Sequence, residues 1–444
     1  MTTQLATNTD LNTVTNQGVY DVPAPVNGPT GASEWAYLEV IPHSNGPSHC
    51  LQRYSNLADG GPAGGRLVTW ERRRVANTWL GWRPVSGFAT PSHFGASGGA
   101  STPSGAVSAN DAAALQRWLN SGLPLLLDGW YGVNGTILSH ALTGENGLTI
   151  HGLGARSGLV LSGGSGLAFT GGDQDNPTGV NFDNFTLHDF NLVINQNSSV
   201  IPLSIVNADG DSGSAMPGID MCNVHFVPAN TSSGATDACI RLRNVRNGDI
   251  QNVSGMGRYF TYQGDFIRDE VGPGSAPVER SHYAVKAAHF RRGFVLNPSE
   301  GAIPNDDAQG YHWDACSAIA VDRGWDLNGG QGFSEWFTLS RNHSYFRELG
   351  VFTTNCGNVR VENGYFLAHG ALGTSQGIAV IGSSIEPVCF IESNRIRLDG
   401  STAANRYGIN ASASLSGRVA GNRTTGATSA YGLVPSSFTS SDNA

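Results

Sequence analysis

The chain has 444 residues, of which 59 are Gly and 20 are Pro; only 14% are charged, and the formal net charge is −9. Glycine at nearly twice its usual share of about 7% argues against a helix-rich protein, because each Gly inside a helix costs about 1 kcal/mol relative to Ala. With 39% hydrophobic residues the chain also lacks the composition of a disordered protein. At this length we expect two or three units, or a repeat, in place of one compact core.

The charged residues limit the classes of partner and of catalysis. The chain has 25 Arg and a single Lys, Lys286, so lysine-based catalysis is not expected. The acidic pI of about 5.7 and the lack of a basic stripe argue against nucleic acid as a partner. No apolar run approaches the ~20 residues of a membrane-spanning helix, so membrane insertion is not expected. The first residues lack the pattern of a signal peptide, and synthesis in the cytoplasm is expected.

The six cysteines contain no CxxC pair and no histidine at a metal-ligand spacing. They are predicted to be small buried residues of strands, with a structural disulfide as the minor alternative. No metal ion or other cofactor is expected from the sequence.

In chain order, composition separates four segments. Residues 1–86 have strand patterns rich in Trp and Tyr and are predicted to form a small β domain. Residues 87–108 are rich in Gly, Ser, Pro and Ala and read as a linker. Residues 109–425 are predicted to form a long repeat, and residues 426–444 a loose tail. The predicted fold class is therefore all-β.

One helix is predicted at the start of the third segment. Asn110 or Ser108 can cap it, and Gly122 and Pro124 end it. Its apolar stripe consists of Ala112, Leu115, Trp118 and Leu119.

After residue 145, short apolar and polar alternations are broken by Gly, Asn and Ser, which indicates strands and turns. An Asn recurs within similar strand patterns, with most spacings near 28 residues. The recurring positions are Asn191, Asn223, Asn252, Asn363, Asn394 and Asn422. This period predicts the coils of a parallel β-helix, with Asn in left-handed turns and in ladders between coils. A β-sandwich or propeller is the alternative. Residues 257–283 break the pattern and are predicted to be an inserted loop.

The segments DLN, QGVY, PTGA, RR and WLGW within residues 10–85 resemble the pyocin knob domain of phage tail fibres and pyocins. That resemblance implies an accessory attachment module, facing a polysaccharide, and no enzymatic activity in this part of the chain.

A second motif, HFGA followed by DAAALQRWL, resembles the opening of the pectate-lyase-like right-handed β-helix of phage tailspikes. The matching residues are Phe94, Gly95, Ala96, Asp111, Ala112, Ala113, Leu115 and Gln116. His93 replaces the usual Asp, and the acidic loop that normally follows is absent. The resemblance therefore covers the start of the fold and does not include a catalytic centre. In such spikes the helix closes the N-terminal end of the β-helix.

Together the two resemblances imply a spike or fibre of a phage or phage-like particle, exposed on the virion surface. They also imply a homotrimer that binds a bacterial surface polysaccharide, capsule or lipopolysaccharide, during host adsorption. The N-terminal domain or another particle protein would provide attachment to the particle.

An aromatic and acidic cluster at residues 311–348 offers a candidate glycan site, because sugar rings stack on aromatic faces and carboxylates bind hydroxyls. Its predicted polysaccharide-binding residues are Tyr311, Trp313, Trp325, Trp336 and Tyr345. Asp314 and Glu335 are the candidate catalytic acids, since carboxylates on nearby coils can approach the spacing of a glycosidase pair. The alternative is that the aromatic residues fill the interior and the acids face water.

Two other acidic clusters are weaker candidates. Asp173 and Asp175 are read as a solvated turn in preference to a calcium site. The predicted loop carries charges that are expected to pair locally in solvent, at Asp265, Asp269, Glu270, Glu279, Arg258, Arg268 and Arg280.

Three functions remain open from the sequence. The favoured one is a receptor-binding spike without catalysis. The second is a depolymerase, hydrolase or lyase, that cleaves the same polysaccharide. The third is a structural fibre component in which only the N-terminal domain contacts the glycan. Motifs for acyl transfer, zinc proteolysis and nucleotide binding are missing.

Overall fold

The computed structural model describes residues 2–29, 35–44, 46–57, 69–98, 107, 109–142, 148–171, 185–207, 218–245, 248–259, 261–271, 278–296, 308–329, 336–370, 373–381, 388–412, 415–432 and 438–441. Its strands form one seven-stranded sheet near the N-terminus and one parallel solenoid. The prediction of an all-β chain with a parallel β-helix is confirmed.

The N-terminal sheet is mostly antiparallel, with consecutive strands from the second to the sixth pairing as a meander. Its strands are β1 (Thr3–Gln4), β2 (Gly18–Pro23), β3 (Trp35–His43), β4 (Gly46–Asn56), β5 (Thr69–Val75), β6 (Thr78–Trp79) and β7 (Arg83–Pro84). Arg72 is buried between the rings of Trp79 and Trp82, 4.2 and 4.4 Å from their centroids, and its Nε donates to Gln52. The RR and WLGW motifs thus meet at one place, while the pyocin knob domain itself stays a prediction.

The predicted linker begins with an ordered segment. A 3₁₀ turn, Pro91–Phe94, packs its buried Phe94 edge-on against Trp70, with ring centroids 5.6 Å apart. Ala89 forms a bridge with Leu125, the first residue of the solenoid strands. The first part of this segment therefore joins the core, because its apolar side chains cover the end of the solenoid.

The predicted helix is α1 (Ala112–Leu119), and its apolar stripe is buried as expected. Asn110 accepts a hydrogen bond from the Ala112 amide through its side chain, while Ser108 lies outside the described residues. The Trp118 indole donates to the Ala89 carbonyl at 2.6 Å. The helix thus closes the N-terminal end of the solenoid. Over the described residues, no helix has the length and apolar character needed to cross a membrane.

The solenoid has three faces, each a stack of parallel strands, and four long strands bend to contribute to two faces. Face A contains β8 (Leu125–Leu126), β11 (Thr149–His151), the first halves of β14 (Phe185–Asn195) and β16 (Ile219–Pro228), β18 (Gly248–Gln251), β21 (Val278–Tyr283), β24 (Ala308–Asp314), β26 (Phe337–Ser340), β28 (Val359–Glu362), β31 (Val388–Glu392), β34 (Ser416–Ala420) and β37 (Phe438–Ser441).

Face B contains β9 (Trp130–Asn134), β12 (Gly158–Ser162), the second halves of β14 and β16, β19 (Ser254–Met256), β22 (Lys286–Ala288), the first parts of β25 (Ser317–Asn328) and β27 (His343–Thr354), β29 (Tyr365–Gly370), β32 (Arg395–Ser401) and β35 (Arg423–Thr425). Face C contains β10 (Ile137–Leu142), β13 (Gly166–Gly171), β15 (Leu203–Asn207), β17 (Ala238–Arg243), β20 (Asp265–Glu270), β23 (Arg292–Leu296), the second parts of β25 and β27, β30 (Thr374–Ile381), β33 (Asn405–Ala411) and β36 (Ser429–Tyr431).

The register of the parallel strands places equivalent residues of successive coils above one another, in columns. One inward column of face A is buried along its whole length and consists of Ile150, Leu187, Met221, Ile250, His282, Trp313, Leu339, Val361, Ile391 and Val419. The residues on either side of each member point outward, because successive side chains of a strand alternate between faces.

Asparagine ladders form at the corner between faces A and B. The left-handed turn is confirmed for Asn223, Asn252 and Asn363, but the prediction is wrong for Asn191, Asn394 and Asn422, which lie one or two residues after a left-handed residue. Asn223 and Asn252 have φ values of 55° and 49°, and the Asn252 amide donates to Asn223 at 2.6 Å. One residue further along each coil, the buried Asn394 donates to Asn422 at 3.0 Å. All six cysteines are free, and five of them are buried.

The structure corrects two segment predictions. Residues 257–283 include strands β20 and β21, so this segment is not simply a solvated insertion. Within it Asp265, Asp269 and Arg280 are buried, and burial raises the pKa of Asp269 to about 6 although Arg280 opposes the shift. In the predicted tail, β36 and β37 continue the stack, because their backbones still pair with the preceding coil.

Candidate functional site

Three of the predicted glycan-binding residues lie inside the solenoid. Tyr311, Trp313 and Trp325 are at most 2% exposed. Trp313 stacks on His282 with ring centroids 5.3 Å apart, and Trp325 stacks on Phe294 at 5.1 Å. A polysaccharide on the surface cannot reach these rings. The prediction is therefore wrong for these three residues, and their role is to fill the core.

Of the two candidate catalytic acids, the structure describes Asp314. Asp314 lies on the outer side of β24, and the Arg341 guanidinium binds both oxygens of its carboxylate. Glu335 lies outside the described residues, as do Asp173 and Asp175 of the weak calcium candidate. The arginine occupies the hydrogen-bonding positions that Asp314 would need to act on a sugar.

The remaining two predicted aromatics lie on the outer surface, on different faces. Trp336 is 53% exposed and precedes β26 on face A. Tyr345 is half-buried on face B and stacks on His369, with ring centroids 3.9 Å apart. They therefore mark two separate surfaces, and their contact with a glycan stays a prediction.

Trp336 lines an open groove on the outer side of face A, with a volume of about 830 Å³. The polar lining comes from four consecutive coils and comprises Asp220, Asp249, Gln251, Glu279, Arg280, Ser281 and His312. This volume lies within the range of about 300 to 1,000 Å³ that is usual for small-molecule sites. We call this surface the face A groove.

Three carboxylates border the face A groove. Asp220 and Asp249 are register partners on β16 and β18. Neighbouring strands lie about 4.8 Å apart, so two such side chains can approach the ~5 Å carboxylate spacing of a retaining glycosidase. Glu279 is exposed on the next coil. The opposing cation, Arg280, is buried and paired with Asp269 at 3.1 Å, which leaves the groove acidic.

A glycine keeps the groove open between Glu279 and Trp336. Gly310 has a φ of +65°, a left-handed conformation that favours glycine, and a Cβ there would meet the Glu279 side chain at 3.1 Å. The exposed indole of Trp336 and the acids therefore face a common space. Aromatic rings and carboxylates are the groups that contact the faces and hydroxyls of sugars.

The second surface, on face B, is a cluster of tyrosines and histidines around Tyr345. Arg347 lies over the ring of Tyr262 at 3.7 Å, and Tyr262 and His369 have ring centroids 6.4 Å apart. The rings of Tyr259 and His289 are in tilted contact, with centroids 4.4 Å apart. Burial lowers the pKa of both histidines, which favours neutral rings at physiological pH. This cluster offers aromatic faces, and the carboxylate of Asp322 beside it is bound to the Arg347 guanidinium, whose Nε donates to Asp322 at 2.7 Å.

Sequence reasoning missed the acids of the face A groove. Asp220, Asp249 and Glu279 are 29 and 30 residues apart in the chain, and only strand register brings them together. Their common spacing near the coil length is the signal in the sequence that indicates them, whereas they lie in no dense aromatic and acidic run.

No protein-family model matches the chain, and no curated protein matches it. Three solved structures illustrate what its structure is similar to. The tailspike protein of E. coli bacteriophage HK620, a double mutant in complex with a pentasaccharide, is 11% identical with a TM-score of 0.43, covering 82% of this chain and 67% of that one. The catalytic domain of a GH87 α-1,3-glucanase in complex with nigerose is 11% identical with a TM-score of 0.42, and the match covers 78% of this chain and 69% of that domain. The gp42 tailspike of Acinetobacter phage vb_AbaP_AS12 is 14% identical with a TM-score of 0.39, and the match covers 100% of this chain and 73% of that tailspike. At such identities the function of this chain has to be argued from its own side chains.

Proposed function

We propose that this protein binds a bacterial surface polysaccharide, capsule or lipopolysaccharide, in the face A groove. It would thereby serve as the receptor-binding spike of a phage or phage-like particle during host adsorption. The observation that carries the proposal is the exposed Trp336 facing Asp220, Asp249 and Glu279 across one open groove. An indole supplies a stacking surface, and the carboxylates accept hydrogen bonds from sugar hydroxyls.

The charge of the groove favours a neutral or amino-sugar-containing glycan. Three carboxylates line it, while its arginine is buried and already paired. A uronate-rich polysaccharide would bring like charge into this acidic surface. Lys286, the single lysine, lies on face B, away from the groove. A lyase, which needs a cation beside the uronate carboxylate, is therefore the less suitable enzyme.

A glycoside hydrolase is the second candidate function. It is supported by the register pairing of Asp220 with Asp249, because two carboxylates at that spacing can act as acid and nucleophile in a retaining mechanism. In that case Asp249→Asn should abolish the release of reducing ends while binding persists. A receptor requires only the contacts between the groove and the glycan. A hydrolase would in addition cleave the glycosidic bond in the same groove.

The experiment incubates the purified protein with host capsule and, separately, with lipopolysaccharide. Binding is followed by biolayer interferometry, hydrolysis by new reducing ends, and lyase activity by the ultraviolet absorbance of unsaturated uronates. We expect saturable binding without the lyase signal. Binding without reducing ends identifies a receptor-binding spike, and reducing ends lost in Asp249→Asn identify a hydrolase. Absence of binding to every host polysaccharide contradicts the proposal and favours a structural fibre component.

A further inference from the structure

Two histidines and an aspartate lie together on face A beside the groove. His151 on β11 and His188 on β14 are register partners, and Asp189 follows His188 where the chain leaves face A. One ligand-type atom from each residue lies within 4.8 Å of the other two. The two imidazole rings are nearly perpendicular, with centroids 5.3 Å apart. The three side chains thus bring one possible ligand atom each to the same small region of the surface.

Residues of the next coil hold this cluster in place. The Asn223 side-chain amide donates to Oδ1 of Asp189 at 2.8 Å, which fixes the carboxylate and leaves its second oxygen for a ligand. Asp220 places Oδ2 3.2 Å from Nε2 of His188. Carboxylates in contact with a histidine ring are common around metal sites, where they orient the imidazole.

One nitrogen of the cluster lacks a hydrogen bond. Nε2 of His188 is buried and has no hydrogen-bond partner within the described parts of the chain, although the Asp220 carboxylate is close. A proton on this nitrogen makes the contact with the carboxylate favourable, and Nδ1 of His188 is then the ring nitrogen that can bind an ion. The carboxylates of Asp189 and Asp220 supply the negative charge that such an ion requires.

We propose that His151, His188 and Asp189 bind one divalent transition-metal ion of the class represented by Zn²⁺. Two imidazoles and one carboxylate are a donor set that Zn²⁺ and its neighbours prefer, whereas Ca²⁺ and Mg²⁺ select all-oxygen sites. Three protein ligands leave a fourth position for water. The ion joins two consecutive coils to the turn that follows, so it strengthens this part of face A, and the site adjoins the face A groove through Asp220.

His151 and His188 are 37 residues apart and meet only through strand register, so no local motif indicates this site. The expectation of no metal ion rested on local motifs. The proposal replaces that expectation with a site assembled by the solenoid itself.

The test is a calorimetric titration of tag-free, chelator-treated protein with ZnCl₂, paired with the visible absorption of added Co²⁺. We expect one ion per chain, tetrahedral Co²⁺ bands, and no displacement of Zn²⁺ by Ca²⁺. His151→Ala should weaken binding by about 100-fold or more, and Asn223→Ala by about 10-fold through the misplaced Asp189. Zn²⁺ should raise the melting temperature of the wild type and leave that of His151→Ala unchanged.

His43→Ala is the matched control, because its ring lies 6.3 Å from His49 in the N-terminal sheet and far from the solenoid cluster in sequence. This variant should bind as the wild type does. His151→Gln, with circular dichroism as a check of folding, substitutes for His151→Ala if the latter misfolds. Absence of stoichiometric Zn²⁺ binding, or equal binding by the wild type and both His151 variants, overturns the proposal.

Discussion

At the scale of single residues, asparagine side chains hold the corner between faces A and B. Asn394 is 2% exposed and uses its whole amide: it donates to the Val361 carbonyl and to Asn422, and it accepts from the Gly364 amide. Each bond joins neighbouring coils. Buried polar groups in such ladders are favourable only while every partner is present.

Replacing Asn394 with Ala should therefore lower the free energy of unfolding by about 1 to 3 kcal/mol for each buried group left unpaired. The measurement is urea denaturation followed by circular dichroism. Asn405→Ala is the control, since Asn405 is an exposed residue of β33 in the same solenoid. Equal effects of the two substitutions would show that the ladder contributes nothing to stability.

His282 is an ionisable residue in the inward column of face A. Its ring stacks on Trp313, both ring nitrogens lack hydrogen-bond partners among the described residues, and burial holds its pKa well below 6.5. The ring is therefore neutral in the folded protein, whereas the unfolded chain binds a proton below pH 6.5. Its contribution to stability is present above pH 6.5 and is lost as the pH falls below that value.

His282→Phe should make stability less sensitive to acid. We expect the slope of unfolding free energy against pH to fall by up to about 1.4 kcal/mol per pH unit between pH 6 and roughly pH 5, because one proton-binding difference is removed. Denaturation curves at several pH values measure it. An unchanged slope would mean that the His282 ring takes up a proton in the folded protein.

The pair of residues at 311 and 313 shows what residue-scale prediction missed. Tyr311 and Trp313 share one side of β24, while His312 and Asp314 share the other, because side chains alternate along a strand. The run of aromatic and acidic residues predicts one surface. The alternation of side chains along β24 instead places the aromatic residues in the core and the others on the outer side. Trp336 is exposed as predicted. It precedes its strand, in a left-handed conformation with φ of 63°, so the alternation within the strand does not place it in the core.

At the scale of elements, the middle of face C contains a buried network of charges. Asp265 is fully buried and binds the Arg292 guanidinium at 2.7 and 2.9 Å. Arg292 also contacts Asp326, and Arg268 reaches Asp265 from the same strand. These contacts run from β20 to β23 and β25, so the charges bind successive coils to one another.

Asp265→Ala should destabilise the protein by about 3 to 5 kcal/mol, because it leaves buried arginine charge without its carboxylate. Glu39→Ala is the control, since Glu39 forms an exposed pair with Arg53 at 3.2 Å, and exposed pairs contribute about 0 to 1 kcal/mol. Chemical denaturation measures both. A cost of Asp265→Ala no larger than that of Glu39→Ala would contradict a stabilising network.

The coils themselves were predictable from the sequence, since the 28-residue Asn period reflects the stacking of β16, β18 and later strands. The charge network of face C was not predictable from the sequence. Its residues lie in a stretch where turns and charges hide the alternation of β20, and only the register of face C shows that the acids meet arginines from other coils. The prediction of a solvated loop followed from the break in the strand pattern at residues 257–283 and from the charges of that segment.

At the scale of the whole molecule, the solenoid carries separate surfaces on separate faces. Face A holds the groove, and face B holds the aromatic cluster around Tyr345. The N-terminal end is closed by α1 and by the segment that contains Phe94. The face A groove is open and is lined by several consecutive coils, so it has room for a short stretch of a polymer.

The homotrimer expected from the tailspike resemblance remains a prediction that belongs to this scale. Light scattering after size-exclusion chromatography should give a mass of about 140 kDa, three times the 46.6 kDa of one chain. A mass of one chain at micromolar concentration would contradict the trimer, and the groove would then have to bind glycan as a monomer.

The central claim is that the face A groove binds a bacterial surface polysaccharide, and the affinity of two tryptophan variants tests it most directly. Trp336 in the groove and Trp35 on the N-terminal sheet are similarly exposed, at 53% and 45%. Trp336→Ala should weaken binding to host polysaccharide by about tenfold, the effect of ~1.4 kcal/mol of lost stacking, while Trp35→Ala should bind as the wild type does. Unchanged binding by Trp336→Ala together with a loss in Trp35→Ala would contradict the claim and assign recognition to the N-terminal sheet.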